Sequence, residues 1–133
     1  MIAKSWYRVL AAAVMISQAA VIVHAQEVPF DGEFLLDARP MPGSKRIPNI
    51  EIAANGTMAL EMWCNRVEGQ VVVAGDTVTV ITGQPTERNC SPDRARADAE
   101  LIEALNAVTN WRRQGDDVVL MGPKTLRFKV MTN

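Results

Sequence analysis

The sequence predicts an antiparallel α+β domain, and three observations lead to this fold class. Short β-branched and apolar runs alternate with turns that contain glycine, proline or asparagine along most of the chain. One late segment, residues 92–108, has the apolar spacing of an amphipathic helix. The chain of 133 residues contains neither an internal repeat nor a low-complexity linker, so we expect a single domain.

The N-terminal segment, residues 1–25, has the three parts of a secretory signal peptide. A positively charged start is followed by an apolar run from Val9 to Val23, and Val23-His24-Ala25 has the small residues of a cleavage site. The alternative is an uncleaved membrane anchor, but the run of about 15 residues is shorter than the roughly 20 that a spanning helix needs. We therefore expect cleavage, no stable membrane anchor afterwards, and a periplasmic or secreted domain of residues 26–133.

Charge and histidine usage exclude some classes of function. Loss of Lys4 and Arg8 with the signal peptide leaves 12 basic residues against 15 acidic ones, a net charge of −3. Nucleic acid is not expected as a partner, because phosphate binding needs a surplus of Lys and Arg. The only histidine, His24, lies in the predicted signal peptide. The mature chain is therefore expected to lack the commonest catalytic base. The densest basic group is expected to be a solvated sheet face rather than an anion site; it comprises Arg112, Arg113, Arg127 and Lys129.

The strands follow from the apolar patterns in chain order. After a polar lead-in over residues 27–32, Glu33–Arg39 is predicted as a strand, and Asn49–Ala53 alternates apolar and polar residues. Asn55-Gly56 predicts a two-residue type I′ turn, because Asn and Gly best tolerate the positive φ that both positions require. Thr57–Trp63 completes that hairpin. Further strands are expected at Gln70–Val73, Thr77–Ile81, Asn110–Arg113, Val118–Met121 and Thr125–Met131.

The helix start has a physical reason at each residue. Ser91 is expected to cap free backbone N–H groups, Pro92 needs no donor at the first helical position, and Asp93 suits the positive helix end. The apolar stripe begins at Leu101 and repeats at i+4 and i+7. The charged residues are expected mainly outside it; they are Arg94, Arg96, Asp98, Glu100 and Glu103.

In the last strand, alternate residues including Val130 are expected to face inward.

Cys64 and Cys90 are the two cysteines of the chain. One lies at a strand end and the other just before the helix, and such a pair in an oxidising compartment usually forms a disulfide. Closing a loop of this length should contribute about 3 kcal/mol to stability. The alternatives are two buried thiols and a redox-active pair, although no C-x-x-C motif is present.

The sequence indicates no catalytic, cofactor-binding or metal-ligating residues. The acidic residues are scattered over turns and the helix without the spacing of a catalytic dyad. Asp116-Asp117 lacks the other ligand positions of a calcium loop, and two cysteines without histidine do not make a zinc site. No glycine-rich phosphate loop occurs. We therefore expect a domain that is not an enzyme and needs no cofactor.

Several short segments follow one another in an order and spacing that resemble the META domain, the family of the HslJ-like heat-shock proteins. They are Cys64-Asn65-Arg66, Gly69, Thr86 with Cys90, the helix segment Glu100–Leu105, and Gly115-Asp116. Trp63 departs from the pattern, because the family usually has Gly at that position. The resemblance covers nearly all of the mature chain.

The resemblance implies a twisted antiparallel β half-barrel wrapped around one α-helix. It also implies an envelope location in bacteria and a role in stress response or antibiotic tolerance, without an established reaction. The family-motif residues on this chain are Asn65, Arg66, Gly69 and Thr86. For Asn65 and Thr86, hydrogen bonding in turns and a ligand role are the two interpretations.

Three functions follow from these observations. The first is an exported, non-enzymatic interaction or stress-tolerance accessory domain whose partner is an unknown envelope protein. The second is a carrier of a small hydrophobic ligand or lipid, with candidate contacts at Met58, Met62, Trp63 and Met121, which also fit an ordinary core. The third is inhibition of a secreted hydrolase through the proline-rich loop Arg39–Pro48. A continuous apolar tunnel would favour the carrier, and a filled interior would favour the interaction domain.

Overall fold

The computed structural model describes residues 14–20 and 27–132, and all regular secondary structure in these ranges lies after residue 31. The strands are β1 (Gly32–Leu36), β2 (Asn49–Ile52), β3 (Thr57–Glu61), β4 (Arg66–Ala74), β5 (Thr77–Thr82), β6 (Asn110–Gln114), β7 (Asp117–Met121) and β8 (Leu126–Val130), and the helix is α1 (Pro92–Asn106). Each predicted element is present. β4 starts at Arg66 rather than at the predicted Gln70, because residues 66–69 pair with β3.

Most of the predicted signal peptide, including its cleavage site, lies outside the described residues. The part that is described, residues 14–20, is exposed and has no regular secondary structure. Within the two described ranges, no helix is both long and apolar enough to span a membrane.

The eight strands form a closed antiparallel barrel in which each strand pairs with the next and β8 returns to β1. The prediction of an antiparallel sheet with one helix is confirmed, but the sheet is a closed barrel rather than a half-barrel. β8 closes it because its residues pair on both sides, with β7 through Leu126 and Phe128 and with β1 through Phe128 and Val130. Closure removes the free strand edges that a half-barrel would expose.

α1 lies beside the sheet at its shortest ladder and is not enclosed by it. β5 and β6 are paired at Thr77 and Asn110 alone, and α1 is in contact with β5. Asn106, at the helix end, donates from Nδ2 to the hydroxyl of Thr82 at 3.0 Å. One helix face packs into the core and the other is exposed.

The barrel interior is filled by apolar side chains from alternate strand positions and from α1. The largest fully buried side chains include Phe30, Ile50, Met58, Leu60, Met62, Leu105 and Phe128. The predicted polar lead-in is wrong for two of its residues, since Val28 and Phe30 are 3% and 1% exposed. The Phe30 ring packs on Trp111 with centroids 4.7 Å apart, and the Val28 N–H donates to the Ala54 carbonyl at 2.8 Å. This segment therefore belongs to the core.

The hairpin between β2 and β3 has a longer turn than the two-residue type I′ turn that was predicted. In the described residues only glycines have a positive φ, so Asn55 does not adopt the required conformation, whereas Gly56 has a φ of 87°. The Gly56 N–H donates to the Ala53 carbonyl at 2.8 Å, which makes a three-residue connection ending in a left-handed glycine. A Cβ at Gly56 would collide with the Val71 carbonyl oxygen, so glycine is required here for two reasons.

Three details of the predicted side-chain placements differ in the structure. Ser91 is the N-cap residue, but its side chain makes no capping hydrogen bond. Asp98, expected outside the apolar stripe of α1, is only 4% exposed, because its carboxylate accepts backbone hydrogen bonds from a neighbouring turn. Val130, expected to face inward, is 37% exposed, because it is the last residue of β8.

Candidate functional site

The family-motif residues and one helix carboxylate meet at a place that we call the cysteine junction. It consists of Cys64, Asn65, Arg66, Thr86, Cys90 and Asp98. Cys64 and Cys90 are joined by a disulfide with Cα atoms 6.1 Å apart, which is the pair that the sequence predicts. The bond ties the turn between β3 and β4 to the segment that leads into α1.

Asp98 makes the second link between this turn and the helix. Its two carboxylate oxygens accept hydrogen bonds from the backbone N–H groups of Cys64, at 3.1 Å, and Asn65, at 2.7 Å. The carboxylate thus accepts from two backbone N–H groups that have no acceptor in a neighbouring strand. A buried carboxylate is stable when it is hydrogen-bonded in this way. Sequence reasoning missed Asp98 because its partners lie more than thirty positions away along the chain.

Asn65 and Thr86 join the same turn to the segment before Cys90. The Asn65 side-chain oxygen accepts hydrogen bonds from the Thr86 hydroxyl, at 3.1 Å, and from the Arg88 N–H, at 2.7 Å. The Thr86 oxygen also accepts from the Arg66 N–H at 3.0 Å, and the Thr86 N–H donates to the Arg66 carbonyl at 2.9 Å. Both side chains therefore satisfy backbone N–H groups, that of Arg88 for Asn65 and that of Arg66 for Thr86.

Ion pairs surround the junction on its solvent side. Glu61 accepts from the Arg66 guanidinium at 3.2 Å and from Arg88 at 3.4 Å, and Glu68 also accepts from Arg66 at 3.4 Å. Hydrogen bonds to Glu61 and then Glu68 raise the pKa of the Arg66 guanidinium, against a smaller opposing effect of desolvation. Arg88 also donates to the Cys64 carbonyl at 3.1 Å, which adds a further bond across the junction.

The polar groups of the junction hydrogen-bond to one another and to backbone groups, and Arg66 and Thr86 also line an open surface depression of about 340 Å³. Every buried side-chain nitrogen and oxygen among the described residues has a hydrogen-bond partner. Over the same part of the chain, no group of three or more His, Cys, Asp or Glu residues is arranged to hold a metal ion. These bonds hold α1, the segment 86–90 and the β3–β4 turn in a fixed relative position.

Gly69 is a motif residue whose role is close approach between strands. It lies in β4 opposite Thr82 of β5 and Met58 of β3. A Cβ at this position would collide with the carbonyl oxygen of Ile81 and lie 3.1 Å from the Thr82 Cα. Only glycine lets the backbones of β4 and β5 come this near.

The four candidate ligand contacts do not converge on one cavity. Met58 and Met62 are buried at 1% and 0% exposure within the barrel core. Trp63 is partly buried and packs against the core from outside, with no positive φ despite replacing the glycine of the family pattern. Met121 ends β7 and is partly exposed. Of the four, Trp63 alone lines a surface groove that is described next.

A groove follows α1 on the outside of the barrel, and we call it the α1 groove. Its main part has a volume of about 320 Å³ and lies between the helix, the loop after β1 and the turn between β7 and β8. A cleft of about 150 Å³ continues it toward the helix end at Ala107, sharing Glu100, Ala104 and Lys124 with the main part. The apolar lining of the main part consists of Ala38, Met41, Trp63, Ala97, Leu101, Ala104 and Leu126.

Charged side chains stand along the α1 groove with one sign on each side. Glu100 and Glu103 belong to the helix wall, whereas Arg39 and Lys124 belong to the walls opposite it. Sequence reasoning missed the groove because its residues come from several segments far apart in the chain. The available signal was the presence of alanine at positions 97 and 104 of the helix, where short side chains leave space beside α1.

The proline-rich loop proposed as an inhibitory segment is attached to its surroundings. The Arg46 guanidinium donates to the Cys64 carbonyl at 3.1 Å, and Arg94 of α1 donates to the Gly43 carbonyl at 3.1 Å. Pro48, at its end, is among the fully buried residues. The loop therefore forms one wall of the α1 groove rather than a free projection.

The densest basic group is divided between different contacts. Arg113 donates to the Pro29 carbonyl at 2.9 Å, Arg127 pairs with Asp117 at 3.7 Å, and Lys129 pairs with Asp37 at 3.1 Å. Arg112 is exposed. These partners make the group part of a solvated barrel surface with mixed charge.

Comparisons with known proteins agree with this architecture. The family model of the META domain matches residues 26–133, and no curated protein matches the chain at a significant level. The chain is similar to an NMR structure of a protein from Burkholderia xenovorans, at 19% identity and a TM-score of 0.59, with 77% of this chain and 83% of that chain covered. It is also similar to a crystal structure of a DUF4847 family protein from Bacteroides vulgatus ATCC 8482, at 15% identity and a TM-score of 0.55, with 78% and 95% covered. These identities show the fold alone. Because the family model spans every strand of the barrel and the helix, this chain belongs to the META domain family.

Proposed function

We propose that this META domain acts after export as a non-enzymatic accessory domain that binds a protein partner in the bacterial envelope. The observation that carries the proposal is the contrast between the filled barrel interior and the α1 groove, where the apolar side chains of Ala38, Trp63 and Leu126 are only partly buried. Tight packing of the interior disfavours an enclosed ligand. Exposed apolar surface rimmed by polar residues is typical of a protein contact site.

Two observations support export. The N-terminal segment has the charge, apolar run and small residues of a signal peptide. The disulfide between Cys64 and Cys90 belongs to an oxidising compartment, because thiols are kept reduced in the cytosol. Periplasmic or secreted localisation is therefore part of the proposal.

The non-enzymatic part of the proposal is supported by the residues that the family motif brings together. A catalytic site needs a base or nucleophile with free access to a substrate. The junction residues instead bond to one another and to backbone groups. After export the chain would have no histidine, since His24 lies in the signal peptide.

Cross-linking of the native protein in envelope extracts of the producing bacterium, followed by quantitative mass spectrometry, tests the interaction role. Ala97→Arg places a long side chain in the α1 groove, whereas Ala99→Arg adds the same side chain at an exposed helix position outside it. We expect wild type and Ala99→Arg to capture the same partner and Ala97→Arg to lose it. Absence of any reproducible protein partner for the wild type would refute the interaction role.

The role in stress tolerance is proposed on the family resemblance. A deletion strain should survive heat or antibiotic exposure less well, and the wild-type gene should restore survival. Restoration by Ala99→Arg but not by Ala97→Arg would connect the phenotype to the α1 groove. Equal survival of the deletion strain and its parent would remove this part of the proposal.

A carrier of a small hydrophobic ligand or lipid is the second candidate, favoured by the exposure of Trp63 in the α1 groove. Its other candidate contacts at Met58 and Met62 are occupied in core packing. Native mass spectrometry would detect a co-purified lipid or an added hydrophobic probe, and binding of neither would remove this candidate. Inhibition of a secreted hydrolase has less support, because the Arg39–Pro48 loop is bonded at Gly43 and Arg46.

A further inference from the structure

Asn55-Gly56 is the only place in the chain where asparagine precedes glycine. Asparagine is a thermolabile residue, and glycine has no Cβ to hinder attack by its backbone nitrogen. In the reaction the Gly56 nitrogen bonds to the Asn55 Cγ, the Cγ–Nδ2 bond breaks, and the proton lost from Gly56 passes through water to the departing ammonia. Water then opens the cyclic imide at either carbonyl. Position 55 becomes aspartyl or, with one more carbon in the main chain, isoaspartyl.

The folded turn restrains both reacting groups. The Gly56 N–H donates to the Ala53 carbonyl at 2.8 Å, and Gly56 is buried, so the proton that must be lost is shielded from water. Asn55 is exposed, but its side-chain oxygen accepts from the Thr57 N–H at 3.0 Å. This bond fixes the direction of the carboxamide. The reaction therefore requires the turn to open first.

Strand β4 holds the same turn from its other side. Gln70 donates from Nε2 to the Asn55 carbonyl at 2.9 Å, and the Val71 N–H donates to the Gly56 carbonyl at 2.8 Å. A Cβ at Gly56 would collide with the Val71 carbonyl oxygen, so the turn lies directly against β4. The main chain on both sides of the labile bond can rearrange only when it leaves β4. The reaction then proceeds from the opened population alone.

We propose that Asn55 is a modification site that the fold protects and unfolding exposes. A copy of the chain that stays unfolded acquires an isoaspartyl residue at position 55. The additional main-chain carbon lengthens the connection between β2 and β3, so its bonds to Ala53, Gln70 and Val71 cannot all form again. The modification thereby makes the loss of structure irreversible.

Incubation of the purified chain at mildly alkaline pH, native or in guanidinium chloride with the disulfide intact, tests the protection. Peptide mapping by mass spectrometry follows the loss of Asn55. We expect the reaction to be at least about thirtyfold faster in the unfolded chain, because only the opened fraction of the native chain reacts. Equal rates in the two states would overturn the proposal.

Two matched variants connect the protection to the turn. Gln70→Ala removes one bond to the Asn55 carbonyl and should speed the native reaction about fivefold, with no change in the unfolded chain. Gln84→Ala is the control, because Gln84 is exposed and lines the surface depression beside Thr86; it should react at the wild-type rate. Equal native rates for the two variants would overturn the assignment of the protection to this turn.

Refolding of the two products tests the consequence. Each carries one more negative charge than the parent chain, so anion exchange separates them from it, and peptide mapping distinguishes aspartyl from isoaspartyl. The aspartyl form keeps the main-chain length and the oxygen that accepts from Thr57, and the variant Asn55→Asp supplies it in pure form. After dilution from denaturant this form should regain the native circular dichroism and the isoaspartyl form should not. Equal recovery of both would overturn the claim of irreversibility.

Discussion

Replacing Asp98 by alanine tests the cysteine junction most directly. The carboxylate is 4% exposed and accepts two backbone hydrogen bonds, from Cys64 at 3.1 Å and from Asn65 at 2.7 Å. A hydrogen bond to a charged group contributes about 1.5–3 kcal/mol net, so the pair amounts to roughly 3–6 kcal/mol. Both turn residues are half-buried, and water can partly satisfy their freed N–H groups. We therefore expect Asp98→Ala to lower the free energy of unfolding by about 3 kcal/mol.

Urea unfolding at neutral pH with the disulfide intact, followed by far-UV circular dichroism, measures this loss. In a thermal scan the same change should lower Tm by roughly 12 °C, at about 4 °C per kcal/mol for a domain of this size. Asp98→Asn should lose less, because the amide oxygen keeps one acceptor. Asp93→Ala is the matched control on the same helix, where the side chain is 79% exposed, and should cost about 0.5 kcal/mol. A loss below about 1 kcal/mol for Asp98→Ala, or a loss equal to that of Asp93→Ala, would refute the reasoning.

Three further predictions concern the same region. Replacement of Cys64 and Cys90 by alanine should lower the free energy of unfolding, measured in urea, by about 3.5 kcal/mol. This is the free energy that corresponds to the closure entropy of a loop with a separation of 26 residues. Two free thiols in unreduced, denatured wild type would contradict the bond. Thr86→Val keeps the side-chain volume but removes the hydroxyl that joins two turns, and should cost about 1–2 kcal/mol in the same assay. Exposed Thr79→Val should change stability little, and equal effects of the two would be evidence against the turn network. Gly69→Ala forces β4 away from β5 and should lower Tm through a loss of about 1–3 kcal/mol; an unchanged Tm would show that the strands can separate freely.

Most of the secondary structure could be predicted because the signals are local. Alternation of apolar and polar residues identified β2, a β-branched run identified β5, and Pro92 marked the residue at which α1 starts. The turn at Asn55-Gly56 was located correctly, but its type was wrong. Turn type depends on how the hairpin packs, and here the connection lies against Val28 and Val71, whose N–H groups donate to it.

The candidate site was predicted only in part. The motif residues Asn65 and Thr86 were identified through a resemblance, whereas Asp98, which accepts from the Asn65 N–H, was assigned to the solvent side of the helix. A charged residue in a helical pattern is normally exposed, and nothing local indicates that two unpaired N–H groups of a distant turn face it. The α1 groove was equally hidden, apart from Trp63, because its walls come from segments before β2, after β3, in α1 and after β7.

The sequence by itself determined the antiparallel class, the order of strands and helix, and the pairing of two cysteines, since each follows from neighbouring residues or from a count. Tertiary structure alone decided that β8 meets β1 to close the barrel, that the helix stands beside the sheet, and that Asp98 is buried. These features depend on backbone groups and side chains that meet only after the chain has folded, and a residue's burial is a property of its partners as much as of its own polarity.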